Sequence, residues 1–191
     1  PPAMARNGNS AIEIIPLHDA LGAEVRGVDL GEFDEAAIDA VTEAWHGHLV
    51  LLFRDQTAGD AAFLEFSRRF GELDRAPITV TGKPHRPDLP ELAVISNVVE
   101  NGRAIGSLGN FEAVWHTDMS YNKDPPKASL LYAKEIPPSG GDTSFCNMYA
   151  AYDRLSDELK RKIATLSCKH DSSHNSTGQA RSGFDDSFAR R

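Results

Sequence analysis

The sequence is short of cysteine, short of basic charge, and without a long apolar run. Cys146 and Cys168 are the two cysteines among 191 residues. Their separation fits no Cys-x-x-Cys pattern, which excludes a zinc ribbon or a dense disulfide framework. Two cysteines in a chain of this size point to thiols in a reducing compartment, with a single disulfide left open. Lys and Arg total 20 against 28 Asp and Glu, a net charge of −8. That balance argues against nucleic-acid and anionic-membrane partners, which need basic patches. No apolar segment approaches the roughly 18 residues that span a bilayer. Residues 1–10 (PPAMARNGNS) lack the apolar stretch of a signal peptide, and we expect a disordered leader there. The expectation is a cytoplasmic protein whose 40% hydrophobic content can build one sizeable core.

What is present reads as short strands and amphipathic helices. Ile12–Pro16 and Ala23–Val28 have strand character, joined by a turn at Leu21-Gly22. Asp34 is placed to cap a helix over Glu35–His48, with Ile38, Val41, Trp45 and His48 on one face. Leu49–Phe53 is a short apolar run, best read as a buried strand. A second helix is predicted over Gly59–Phe70, with Phe63, Phe66 and Phe70 as its stripe. Four prolines make residues 74–90 a loop. Leu92–Ser96, the segment of His116, Ala128–Ile136 and Thr143–Asn147 are predicted strands. Residues 100–112 are glycine-rich and irregular, and 137–141 form a turn. Ser156 is expected to cap a helix reaching Leu166, and 170–191 to form a mobile lid or tail. Short strands with helices outside predict a mixed α/β chain with a mainly β core, a jelly-roll of the cupin type.

The chemistry centres on Trp115-His116-Thr117-Asp118. On a strand, residues two apart point to the same face, so His116 and Asp118 would project together. One imidazole and one carboxylate are two thirds of the facial triad that holds non-haem Fe(II). Taken alone, His-x-Asp is common, and it equally describes a packed histidine beside a turn acid.

The surrounding segments decide between these readings. Leu21–Leu30 (LGAEVRGVDL), Leu51–Gln56 (LLFRDQ), Phe66–Leu73 (FSRRFGEL), Trp115–Tyr121 (WHTDMSY), Pro125–Ala133 (PPKASLLYA) and Gly140–Thr143 (GGDT) occur in one order. In that order and spacing they resemble the taurine dioxygenase / 2,4-dichlorophenoxyacetate dioxygenase family of Fe(II)- and 2-oxoglutarate-dependent oxygenases. The resemblance runs from about residue 12 to 170. It implies a double-stranded β-helix, with His116 and Asp118 as iron ligands. It implies that Thr143 binds the distal carboxylate of 2-oxoglutarate. Trp115 and Tyr121 would pack beside the site. The implied reaction uses O₂ and hydroxylates a small organic acid, with release of succinate and CO₂. A sulfonate, sulfate ester or aryloxyacid is the expected substrate class, an amino acid or natural-product precursor the alternative. Members of the family are often oligomeric, so homo-oligomerisation stays open.

The sequence departs from the family at several points. The second iron histidine and the carboxylate-binding arginine lie far downstream of His-x-Asp in the family. Only His170 and His174 follow here, and Arg181, Arg190 and Arg191 sit in the tail. We therefore expect residues 11–191 to be the N-terminal and central part of one longer jelly-roll domain. A truncated, non-catalytic fragment that binds a metal or ligand is the competing expectation. Members acting on taurine have a histidine soon after the Phe-Gly-Glu-Leu segment, where this chain has Ala76. Phe111 and Glu112 replace polar substrate-contacting positions, favouring a substrate with an apolar body, and Arg75 or Arg103 can pair with its anion. Thr143→Ala should weaken 2-oxoglutarate binding by about 1–3 kcal/mol, the worth of a hydrogen bond to a charged group. Titration of the iron-loaded protein measures it, and an unchanged affinity rejects the role.

Overall fold

A computed structural model describes residues 11–76, 86–108, 114–168, 170 and 174. Residues 1–10, expected as a leader, and 170–191, expected as a lid or tail, lie outside the described residues apart from His170 and His174. The chain forms two compact units. One takes the described residues of Pro1–Gly71 and Tyr132–Thr165, the other those of Glu72–Leu131 and Leu166–Arg191.

In the first unit, β1 (Glu13–Pro16) pairs antiparallel with β2 (Ala23–Arg26), Glu13 opposite Arg26 and Pro16 opposite Ala23. Gly22 enters β2 with φ 96°, a conformation that favours glycine, and its carbonyl accepts from Leu17 N–H at 2.9 Å. β2 pairs in parallel with β3 (Leu51–Phe53). Parallel neighbours need a crossover, and α1 (Glu35–His48) supplies it. Asp34 caps α1 as expected, accepting from Ala37 N–H at 2.8 Å. Ala37, Ile38, Val41 and Ala44 are its buried residues. Trp45 and His48, placed on that face from sequence, are half-buried. The strand predicted from Leu49 starts at Leu51. Leu49 turns to φ 67° and returns its N–H to Trp45 at 2.7 Å, closing the helix instead of joining the ladder.

α2 (Asp60–Arg68) carries Phe66, which is 2% exposed. Its ring meets Phe33, Phe53 and Phe70 at centroid distances of 5.3, 5.8 and 5.1 Å, each edge-on. Val25, Val28, Leu30, Ile38 and Val41 complete the core around it. Glu24 is buried beside this core and accepts from Arg26 Nε at 2.7 Å and Arg54 Nε at 3.2 Å. The Arg26 guanidinium holds the Glu24 carboxyl below its ordinary value; burial opposes this, and Arg54 adds a smaller pull in the same direction. Gln56 ties the exits of β2 and β3 together. Its Oε1 accepts from Leu30 N–H at 2.9 Å and its Nε2 donates to Val28 O at 3.1 Å.

Two predicted strands are corrected. Among the described residues, Ala128–Ile136 and Thr143–Asn147 enter no ladder. Within the first unit, Tyr132 is held by side-chain contacts instead. Its hydroxyl donates to Gln56 O at 2.9 Å and its ring lies 5.5 Å from Phe63. Lys134 reaches Asp60 at 3.0 Å. A segment with high strand propensity still needs an edge to pair with. Asn147 caps a helix that periodicity did not reveal, α3 (Met148–Asp153), accepting from Ala150 N–H at 3.0 Å. Ser156 caps α4 as expected, but that helix covers Asp157–Ile163 and stops short of Leu166.

In the second unit, β4 (Ile95–Ser96) pairs in parallel with β7 (Ser107–Leu108). The strand predicted over Leu92–Ser96 thus keeps only its last two residues. Between them, β5 (Val99–Glu100) and β6 (Arg103–Ala104) form a hairpin. Its turn is Asn101-Gly102, with φ of 50° and 77°. Two left-handed residues match the strand twist, so Asn-Gly closes a two-residue hairpin. This region was read from sequence as irregular. Gly106 passes so close to β4 that a Cβ would sit 2.7 Å from Val94 O.

The chain is therefore mixed α/β. Among the described residues its sheets are partial, one of three strands and two of two strands. Phe66→Ala should cost about 3–5 kcal/mol of the first unit's stability, the usual loss for a buried aromatic. Urea unfolding followed by circular dichroism measures it, and a loss under about 1 kcal/mol would deny Phe66 its central place.

Candidate metal centre

His116 and Asp118 lie in the second unit. No strand carries them: residues 114–117 are irregular, and 118–120 turn, with Asn122 N–H returning to Met119 O at 2.9 Å. The expectation of a His116 strand is corrected on that point. The side chains meet nonetheless, His116 Nε2 standing 3.2 Å from Asp118 Oδ1.

Each of the two has a second partner. His116 Nδ1 lies 2.7 Å from the Val114 carbonyl oxygen. A carbonyl has no proton to give, so Nδ1–H donates. The neutral ring then presents Nε2 as a bare lone pair towards Oδ1, which is also an acceptor. Two acceptors at this separation repel unless a proton or a metal cation lies between them. Ligands at about 2.1 Å from one divalent ion and at right angles to each other are about 3.0 Å apart. The observed 3.2 Å fits two neighbouring ligands of one ion. Asp118 Oδ2 is taken up elsewhere, accepting from Ser129 Oγ at 2.9 Å. The side chains are 40% and 58% exposed. A polar contact that open to water contributes little stability, while a small molecule can reach it.

His170 does not join the pair. Its Nδ1 lies 2.9 Å from Ser120 Oγ, on the turn that follows Asp118. Among the described residues no group of three His, Cys, Asp or Glu side chains is placed to hold a metal ion.

The other sequence-derived positions are scattered. Thr143 is in the first unit, exposed, just after Gly140 and Gly141, whose φ values are 73° and 74°. Arg75 is exposed, and its backbone N–H donates to Asp74 Oδ1 at 2.9 Å. Arg103 is exposed on β6, across from Glu100. Phe111 and Glu112 lie outside the described residues. Trp115 is 71% exposed, so it does not pack as expected, whereas Tyr121 is half-buried. Cys146 and Cys168 are exposed and form no disulfide. Ser129 and the Val114 carbonyl were missed from sequence. A serine eleven positions from an aspartate carries no spacing signal, and a carbonyl is invisible to residue type.

Comparison with known proteins places the chain in a family. Residues 13–189 match the family described as taurine catabolism dioxygenase TauD, TfdA. Pentalenolactone F synthase of Streptomyces avermitilis is 37% identical over 172 residues, 87% of this chain and 52% of that protein. The alpha-ketoglutarate-dependent 2,4-dichlorophenoxyacetate dioxygenase of Cupriavidus pinatubonensis is 36% identical over 162 residues, 81% of this chain and 56% of that protein. Among solved structures, AAD-2 in complex with Mn(II) and N-oxalylglycine superposes with a TM-score of 0.61 at 30% identity, covering 84% of this chain and 52% of that one. The chain belongs to the TauD/TfdA family. The family and its solved structures imply the cupin-like jelly-roll fold. The chain spans about half the length of the curated relatives it matches.

The tautomer is open to test. In long-range ¹H–¹⁵N spectra of the neutral ring, His116 should show a protonated Nδ1 and a bare Nε2. A protonated Nε2 would remove the lone pair on which the metal reading depends.

Proposed function

We propose that this chain carries the iron-binding part of an Fe(II)- and 2-oxoglutarate-dependent dioxygenase that hydroxylates a small organic acid. The observation that carries the reading is the His116–Asp118 donor pair, 3.2 Å apart, in a member of this family. His116 Nε2 and Asp118 Oδ1 would hold the ion. When bound, iron with 2-oxoglutarate supplies activation of O₂ and hydroxylation of the substrate, with succinate and CO₂ released. The chain's own part is to bind and orient. Val114 keeps the proton on Nδ1, leaving Nε2 to donate. Thr143 would bind the distal carboxylate of 2-oxoglutarate through its hydroxyl. Phe111, with Glu112 beside it in sequence, would favour a substrate with an apolar body, and Arg75 or Arg103 would pair with its anion.

The 2,4-dichlorophenoxyacetate dioxygenase relative supports an aryloxyacid, within a class that also takes in sulfonates and sulfate esters. Pentalenolactone F synthase keeps a natural-product precursor as the alternative. We place the protein in the cytoplasm, acting on an acidic small molecule rather than on nucleic acid or membrane, with homo-oligomerisation open. A second reading is binding of metal or ligand without turnover. It is favoured by the lack, among the described residues, of a third ligand beside the pair.

Anaerobic titration with Fe(II) and 2-oxoglutarate tests the first reading. A saturable visible charge-transfer band is expected, absent in both His116→Ala and Asp118→Ala. A band that survives in either variant, or folded parent protein that shows none, overturns it.

A further inference from the structure

We infer that Ser129 is a positioning residue of the metal centre, holding Asp118 Oδ2 so that the carboxylate meets the ion through Oδ1 alone. The inference rests on the reading of His116 and Asp118 as ligands and extends it to a residue that touches neither ion nor substrate. The two carboxylate oxygens are already sorted by partner. Oδ2 accepts from Ser129 Oγ at 2.9 Å, and Oδ1 faces His116 Nε2 at 3.2 Å. A hydroxyl at 2.9 Å is a full-strength donor. Without it, nothing in the motif distinguishes the two oxygens, and an exposed aspartate can turn about its last torsion or chelate through both.

The distinction matters to coordination. With Oδ2 held by Ser129, the aspartate would offer the ion one oxygen instead of two, so Ser129 would set both its orientation and its number of bonds. The Val114 carbonyl does the corresponding work on His116 by fixing its tautomer. Partners of this kind usually set metal affinity by 10- to 100-fold.

The test is titration of the 191-residue chain with Mn(II) alone, followed by the loss of the free-ion EPR signal. Ser129→Ala should bind about tenfold or more weakly than the parent. Ser129→Thr, which keeps the hydroxyl, should recover most of that loss, and Asp118→Asn should abolish binding. On the Asp118→Asn background, Ser129→Ala should change nothing further. Ser129 is exposed, and circular dichroism of each variant confirms the fold. Parent-like affinity in Ser129→Ala, with Asp118→Asn still defective, overturns the role of Ser129 and leaves the ligand reading intact. Failure of Ser129→Thr to recover affinity rejects the hydroxyl as the agent. Binding independent of Asp118, or no binding by the folded parent, removes the ligand reading and this inference together.

Discussion

Phe66 is the side chain on which the first unit turns. It leaves α2, enters the space between β3 and the segment before α1, and touches three other phenyl rings edge-on. Edge-to-face contacts of this kind add to the area each ring removes from water. With Phe66 in place, β2 and β3 have a surface to rest on, and α1 has a reason to fold back over them. The polar fittings then follow. Gln56 joins two loops that the sheet has already brought together, and Glu24 meets arginines from two neighbouring strand ends. The buried residues among those described lie between Gly22 and Ser67.

The candidate metal centre is built on the opposite principle. His116 and Asp118 rest on no sheet and are largely open to water. Their order comes from hydrogen bonds, one from His116 to a backbone carbonyl and one from a serine to Asp118. Such a site takes its shape from donors and acceptors rather than from packing. That would suit the proposed role of the pair as ligands of an ion. A bare imidazole nitrogen and a carboxylate oxygen turned towards each other are both electron-pair donors, an arrangement that a cation would favour.

Much of the first unit was legible before the structure. Asp34 and Ser156 could be named as caps because their side chains satisfy backbone donors a fixed number of residues away. The stripe of Phe63, Phe66 and Phe70 showed which face of α2 turns inward. Ala128–Ile136 and Thr143–Asn147 were misread because strand character in a sequence describes willingness to pair, not the presence of a partner. The hairpin at Asn101-Gly102 was overlooked for the reverse reason. Glycine-rich sequence suggests irregularity, but Asn-Gly between short strands specifies a turn.

The sequence by itself determined the family, the pairing of an imidazole with a carboxylate, and the local elements whose causes lie within a few residues. Order and spacing of six segments sufficed for the first, and residue chemistry for the second. Only the tertiary structure decided which atoms face each other. That Nε2 meets Oδ1 and that Val114 keeps the proton on Nδ1 follow from the backbone path over residues 114–118, and that Ser129 claims Oδ2 follows from where two separate stretches come to lie. Hydrogen bonds act over about 3 Å, so contacts between residues eleven positions apart are settled by the path of the chain and not by its composition.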